Sequence, residues 1–155
     1  MTGLEEIVTK DRVILDHKGV SKRQLLQSLA EIAAKTTGID GEVILGCLAA
    51  REKLGTTGLG SGIAIPHAKI AGLPKLIGFF IRLAKPVDFD AVDGEPVDLV
   101  LLLLAPDDSA ADHLKALARI ARILREPEVC KTLRQAKTVD QIHTVLAGRT
   151  EPPRP

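Results

Sequence analysis

The chain has 155 residues, a formal net charge of +1, and 45% hydrophobic residues of which very few are aromatic. Surface scaling for this length buries roughly two-thirds of the unfolded surface, so an aliphatic core needs no disulfide or metal staple, and disorder is excluded for most of the chain. Near-neutrality and the lack of Trp and Tyr argue against a nucleic-acid binder, which usually carries a basic excess and stacking aromatics.

The N-terminus, Met1-Thr2-Gly3-Leu4-Glu5-Glu6, shows no basic and apolar signal-peptide pattern. Residues 12–16 are a short candidate strand. Ser21-Lys22-Arg23-Gln24 predicts a capping box, followed by Leu25, Leu29, Ile32 and Ala33 at helical spacing, with Gly38 past the end. Asp40 is placed to cap a second helix carrying Val43, Ile44, Cys47, Leu48 and Leu54, with Gly55 as its stop. Residues 63–65 read as a strand ended by Pro66, and residues 76–83 as one between Pro74 and Pro86. Residues 97–104, between Pro96 and Pro106, are almost wholly apolar, as a central strand covered on both faces must be.

Ser109 begins a further helix, with Asp112 three residues on and an expected apolar stripe of Leu114, Leu117, Ala118, Ala121 and Leu124. Pro127 suits the first turn of a short helix, and Thr138-Val139-Asp140-Gln141 opens a last one closed by Gly148. The Pro-rich residues 149–155 are expected to form a flexible tail beyond a domain of residues 1–148. The order predicts a single α/β (α+β) domain, a mixed β-sheet flanked by helices. The longest apolar run, residues 99–105, is far short of the ~20 residues of a membrane span. Cys47 and Cys130 are isolated and read as small buried hydrophobes in a reducing compartment, so a cytoplasmic protein without membrane insertion is expected.

Chemistry concentrates in residues 51–70. Gly55, Gly58, Gly60 and Gly62 alternate with Thr56, Thr57 and Ser61. So many glycines disfavour helix or strand. They favour a loop whose backbone N–H groups and hydroxyls can crowd an anion. The spacing is neither a Walker A loop nor a dinucleotide fingerprint. His67 follows Pro66, which stiffens the strand end that presents the imidazole. A neutral imidazole nitrogen can attack phosphorus and hold the group covalently. His113, four and seven residues before Leu117 and Ile120, projects from the first turn of its helix toward the packed side, just beyond the carboxyl end of the central strand, as a second site histidine or else a capping or packing one. Arg51 ends an apolar helix and is a fixed cation suited to phosphoryl oxygens, or else a solvated charge. Two histidines without a cysteine or convincing carboxylate fall short of a metal set, and no cofactor is called for.

Arg51-Glu-Lys-Leu-Gly-Thr-Thr57-Gly-Leu-Gly-Ser-Gly-Ile-Ala-Ile-Pro-His67 resembles the active-site signature of the enzyme IIA proteins of the phosphotransferase system, in the fructose/mannitol/nitrogen-regulatory group. The likeness extends over nearly the whole chain. The stretch Phe89-Asp-Ala-Val-Asp-Gly-Glu-Pro-Val-Asp-Leu-Val, with Ala105-Pro106 and His113-Leu-Lys-Ala-Leu-Ala, is most similar to the nitrogen-regulatory branch. The resemblance implies a mixed sheet flanked by helices and a phosphohistidine at His67 Nε2, accepted from a small histidine phosphocarrier protein. It also implies a second active-site histidine at His113, with Arg51 and Thr57 beside the site. Thr57 and the amides of Gly58, Gly60, Ser61 and Gly62 are the candidate phosphate cradle. In the nitrogen-regulatory branch the phosphorylation state serves as a signal, commonly to potassium uptake or its sensor kinases. A sugar-specific role passing phosphate to a IIB domain, or a non-catalytic binding module, are the alternatives. Where many relatives have Gly, this chain has Ala68, which would strain a turn that needed positive φ. Carrier docking calls for an apolar rim, with Leu59, Ile63 and Phe79 or Phe80 as candidates.

Overall fold

The computed structural model describes residues 4–108 and 110–148. The proposed helix start at Ser109 and the tail 149–155 lie outside the described residues. In chain order the elements are α1 (Leu4–Ile7), a 3-10 turn (Lys10–Arg12), β1 (Val13–His17), α2 (Lys22–Thr37), α3 (Gly41–Lys53), β2 (Gly58–Gly60), β3 (Ile63–Ala64), β4 (His67–Ile70), β5 (Ile77–Val87), β6 (Val97–Pro106), α4 (Ala110–Leu124), α5 (Pro127–Gln135) and α6 (Val139–Leu146).

The six strands form one mixed sheet in the order β1-β5-β6-β3-β2, with β4 also paired to β6. β6 runs antiparallel to β5 and parallel to both β3 and β4. Alternation along the central strands divides the core in two. Phe79, Ile81, Val100, Leu102 and Leu104 face α2 and α3. Phe80, Leu99, Leu101 and Leu103 face α1, α4, α5 and α6. Each residue of β6 from Leu99 to Ala105 is fully buried, which is why that segment is continuously apolar instead of alternating.

Local signals act as their chemistry dictates, with instructive departures. Ser21 Oγ accepts from Gln24 N–H, but the Gln24 side chain accepts from Val20 instead of Ser21, so the expected reciprocal box is half formed. The reciprocal capping box is found at Thr138 and Gln141. Gly38, left-handed at φ 76°, ends α2, and Asp40 accepts from Glu42 N–H at the start of α3. On α3 the buried positions are Ile44 and Leu48, whereas Val43 and Leu54 face solvent. Strand β5 continues past Pro86 to Val87, because the ladder with β6 is irregular between Arg82 and Val87 and asks no N–H of the proline.

The stripe expected on α4 is displaced in phase. His113, Ala116, Ile120 and Leu124 are buried, while Leu114 is 67% exposed and Ala118 also faces out. Counting from His113 gives spacings of three, four and four, one regular helical face. The leucines at 114 and 117 are drawn from two neighbouring faces and disguise it.

Candidate functional site

The glycine segment is a β-hairpin and not an irregular loop. Gly58 pairs with Ala64 and Gly60 with Ile63. A Cβ on Gly58 would stand 2.9 Å from Ala91 Cα, so the missing side chain lets the following loop pack directly on the strand. The turn runs through Ser61 at φ 57° and Gly62 at φ 81°. A Cβ at Gly62 would collide with Arg134 Nη2, and Arg134 is bound to both Asp98 carboxylate oxygens and to the Ser61 carbonyl.

After the hairpin the chain breaks at Ile65-Pro66 and re-forms as β4, still alongside β6, with the Pro66 carbonyl accepting from Leu103 N–H. His67 is thus the first residue of β4 and not the end of β3. Ala68 lies in this strand, buried, with no positive φ. The anticipated strain at this position is absent, because the residue is extended and its methyl packs into the core below α2 and α3.

Three elements bring three predicted side chains together. β4 supplies His67, the first turn of α4 supplies His113, and the last turn of α3 supplies Arg51. The imidazole centroids are 5.4 Å apart and the rings stand edge to face at 76°. His67 Nδ1 lies 2.8 Å from the Ile65 carbonyl, and Arg51 Nε donates to His67 Nε2 at 3.1 Å. A carbonyl can only accept and a guanidinium can only donate. Nδ1 therefore carries the proton and Nε2 holds its lone pair, aimed into the site. Arg51 Nη1 is braced on the Gly55 carbonyl at 2.9 Å.

Both imidazoles are held neutral. Burial pushes the His67 pKa below its usual 6.5, and the Arg51 charge pushes the same way. The Ile65 carbonyl and the Glu52 carboxylate resist. Burial also lowers His113, helped by the Lys69 charge and by the repulsion that a charged His67 would add. His113 is only 6% exposed, and its Nε2 meets neither water nor a hydrogen-bond partner among the described residues. Buried polar atoms are normally satisfied; His17 Nε2 is buried without a partner in the same way, and what distinguishes His113 is the second imidazole beside it.

Thr57 is buried near the base of the hairpin, its carbonyl accepting from Ile65 N–H. Its amide and hydroxyl both serve the Glu52 carboxylate, which in turn pairs with Lys22 at 2.9 Å. Thr57 is therefore a brace tying α3 to the hairpin, and its hydroxyl is already engaged. The distal cradle residues are not brought to the imidazoles. Gly62 accepts from Asp98 and Leu99 N–H, while His67 is in register with Leu103, four residues further along β6. That is about 13 Å of extended strand. The Ser61 amide donates to Asp93, and Gly60 also abuts the Asp93 carboxylate, which stands where an anion would have to sit.

The expected apolar rim is likewise redrawn. Phe79, Phe80 and Ile63 are core residues, and of the four candidates only Leu59 is substantially exposed. Near the site residues in sequence, the exposed leucines are Leu54, three residues after Arg51 and 84% exposed, and Leu114, directly after His113. Glu52 was missed by sequence reasoning. Its signal was there: it continues the Ile44, Leu48 spacing of the buried face of α3. Among the described residues no group of three or more His, Cys, Asp and Glu could hold a metal ion. No described helix is long and apolar enough to cross a membrane.

Residues 6–148 match the family model described as phosphoenolpyruvate-dependent sugar phosphotransferase system, EIIA 2. The chain is 49% identical over 144 residues to a nitrogen regulatory protein of Bradyrhizobium diazoefficiens, covering 93% of this chain and 94% of that one. It is 40% identical over 147 residues to a nitrogen regulatory protein of Pseudomonas aeruginosa, covering 94% and 96%. Among solved structures, the nitrogen regulatory protein IIA-Ntr of Neisseria meningitidis superposes with a TM-score of 0.88 at 34% identity, covering 92% of this chain and 98% of that one.

Proposed function

The chain belongs to the EIIA 2 family of the phosphoenolpyruvate-dependent sugar phosphotransferase system, on its nitrogen-regulatory branch, and from that premise we propose that it is a phosphohistidine carrier whose acceptor atom is His67 Nε2. The family is a phosphotransferase component. The donor we propose is the phosphohistidine of a small HPr-like carrier of the nitrogen type. The observation that carries this reading is the hydrogen-bonded tautomer, with Nδ1–H on the Ile65 carbonyl and the Nε2 lone pair free to attack once the Arg51 N–H turns aside.

In the transfer, His67 Nε2 forms a bond to phosphorus as the donor's P–N bond breaks, and the electron pair of that bond returns to the donor nitrogen. No proton need move. Nδ1 keeps its hydrogen, and the positive charge that grows on the ring is met by the Ile65 carbonyl. The released Arg51 N–H groups and His113 Nε2, as an N–H donor, bind the oxygens of the transferring group, supplying the positioning and charge neutralisation such a step needs. Metal and cofactor play no part in this reading. The phosphorylation state then acts as a signal to a partner, a potassium transporter or sensor kinase being the candidates.

The test is incubation with phosphorylated carrier followed by intact-mass measurement. Wild-type protein gains one phosphoryl group, and His17→Ala and His143→Ala variants gain it equally. Folded His67→Ala gains none; a labelled His67→Ala variant would refute the acceptor assignment.

A further inference from the structure

We propose that the groove between α1 and α4 is a docking site for an acidic amphipathic segment of a partner protein. It lies outside the imidazole pair and does not depend on the reading given above. The groove encloses about 720 Å³. Its floor is apolar, made by Leu4 and Ile7 of α1 and by Ala116 and Ile120 of α4. Its wall on the α4 side carries Lys115, Arg119 and Arg122, against the single lining carboxylate of Asp112 in the first turn.

A surface helix that already buries one stripe normally spreads mixed charge over the other. Here the exposed side of α4 concentrates cations next to an apolar trough. Lys115 and Arg122 are exposed and form no ion pair among the described residues. An apolar floor with a cationic lip is complementary to a helix that puts leucine-like residues into the trough and carboxylates on the lip, the helix-in-groove mode of recognition. A nucleic-acid partner would use the charges and leave the floor idle, which disfavours it. Asp112 sets a direction, because the end of the segment lying there must be free of carboxylates.

The experiment is fluorescence anisotropy on the full chain with three synthetic peptides. In one, leucine pairs alternate with glutamate pairs. In the second, serine replaces leucine, and in the third, lysine replaces glutamate. The leucine–glutamate peptide binds, the other two do not, and a Lys115→Glu/Arg122→Glu double variant weakens binding about tenfold or more. The control is Lys35→Glu at the end of α2, on the opposite face of the sheet, with thermal unfolding verifying that every variant is folded. Lys35→Glu leaves affinity unchanged. The proposal is overturned if the leucine–glutamate peptide does not bind, if the serine peptide binds equally, or if Lys35→Glu weakens binding as much as the double variant does. It is also overturned if phosphatidylserine vesicles or duplex DNA bind where that peptide does not, and lose binding on the same double reversal.

Discussion

At the scale of single residues, the site is defined by which polar atoms are spoken for. His67 has both nitrogens engaged, Thr57 is engaged by Glu52, and His113 Nε2 is left alone in a buried position. If that atom donates to a transferring phosphoryl group, His113→Gln slows phosphorylation from the carrier on the order of 10²–10³-fold, the usual loss of one positioned donor. The variant still accepts one phosphoryl group at long times. Rapid-quench kinetics measures the rate, and a rate equal to wild type would make His113 a packing residue.

The two depressed histidines also make stability depend on pH. Each has a folded pKa below its unfolded 6.5, so in the window between the two values the unfolded chain binds more protons than the folded one. Stability is therefore fully present above about pH 6.5 and declines as the pH falls toward the folded values. Urea midpoints measured from pH 7.5 downward should show this decline in wild type and a shallower one in a His67→Gln/His113→Gln variant. Parallel curves would mean that the carboxylates, and not this pair, govern the acid limb.

Elements explain what could and could not be read in advance. The central strand was legible because burial on both faces leaves its sequence no choice but to be apolar. Gly38, Asp40 and Pro127 were legible because each obeys local backbone chemistry. His67, His113 and Arg51 were singled out as candidates, and the three elements do bring them together. The glycine hairpin was not legible. Its pairing depends on Ala91 and on the Arg134–Asp98 pair, which are remote in sequence. The phase of α4 was legible in part: the leucine stripe from Leu114 leaves out Ile120, whereas the spacing from His113 puts Ile120 on the packed side, and packing against β6 selects the second.

That choice has a measurable consequence. Leu114 is exposed, so Leu114→Gln changes stability by less than about 0.5 kcal/mol. Ile120 is fully buried against the sheet, so Ile120→Ala costs about 2–5 kcal/mol. Chemical denaturation of the two variants checks the assignment. A larger loss for Leu114→Gln would restore the stripe read from the leucines.

For the whole molecule the decisive quantity is charge. The chain carries a formal +1, and a phosphoryl group adds about −1.5 to −2 at pH 7, so modification changes the sign of the net charge. The change is also local. In the proposed reading the acceptor imidazole, His67, is neutral before transfer, the neighbouring Glu52 is already paired with Lys22 and hydrogen-bonded by Thr57, and Arg51 is the fixed cation in direct contact. Leu54 and Leu114, exposed three residues after Arg51 and directly after His113, are apolar surface for a docking partner that covers this face. Such a partner would bury a neutral ring in one state and a dianion, matched by one guanidinium, in the other. Burying charge without full compensation is costly. If His67 is phosphorylated as proposed, a regulated partner that covers this face, the cytosolic domain of a potassium transporter being the proposed candidate, is expected to bind the unphosphorylated form more tightly. Calorimetry with wild type, the phosphorylated protein and the imperfect charge mimic His67→Asp measures the difference. The expected order of affinity is wild type first, His67→Asp weaker and the phosphorylated form weakest, with a heat of binding that depends on ionic strength for the charged forms. Equal affinities for all three would mean that the partner docks elsewhere and does not sense the imidazole.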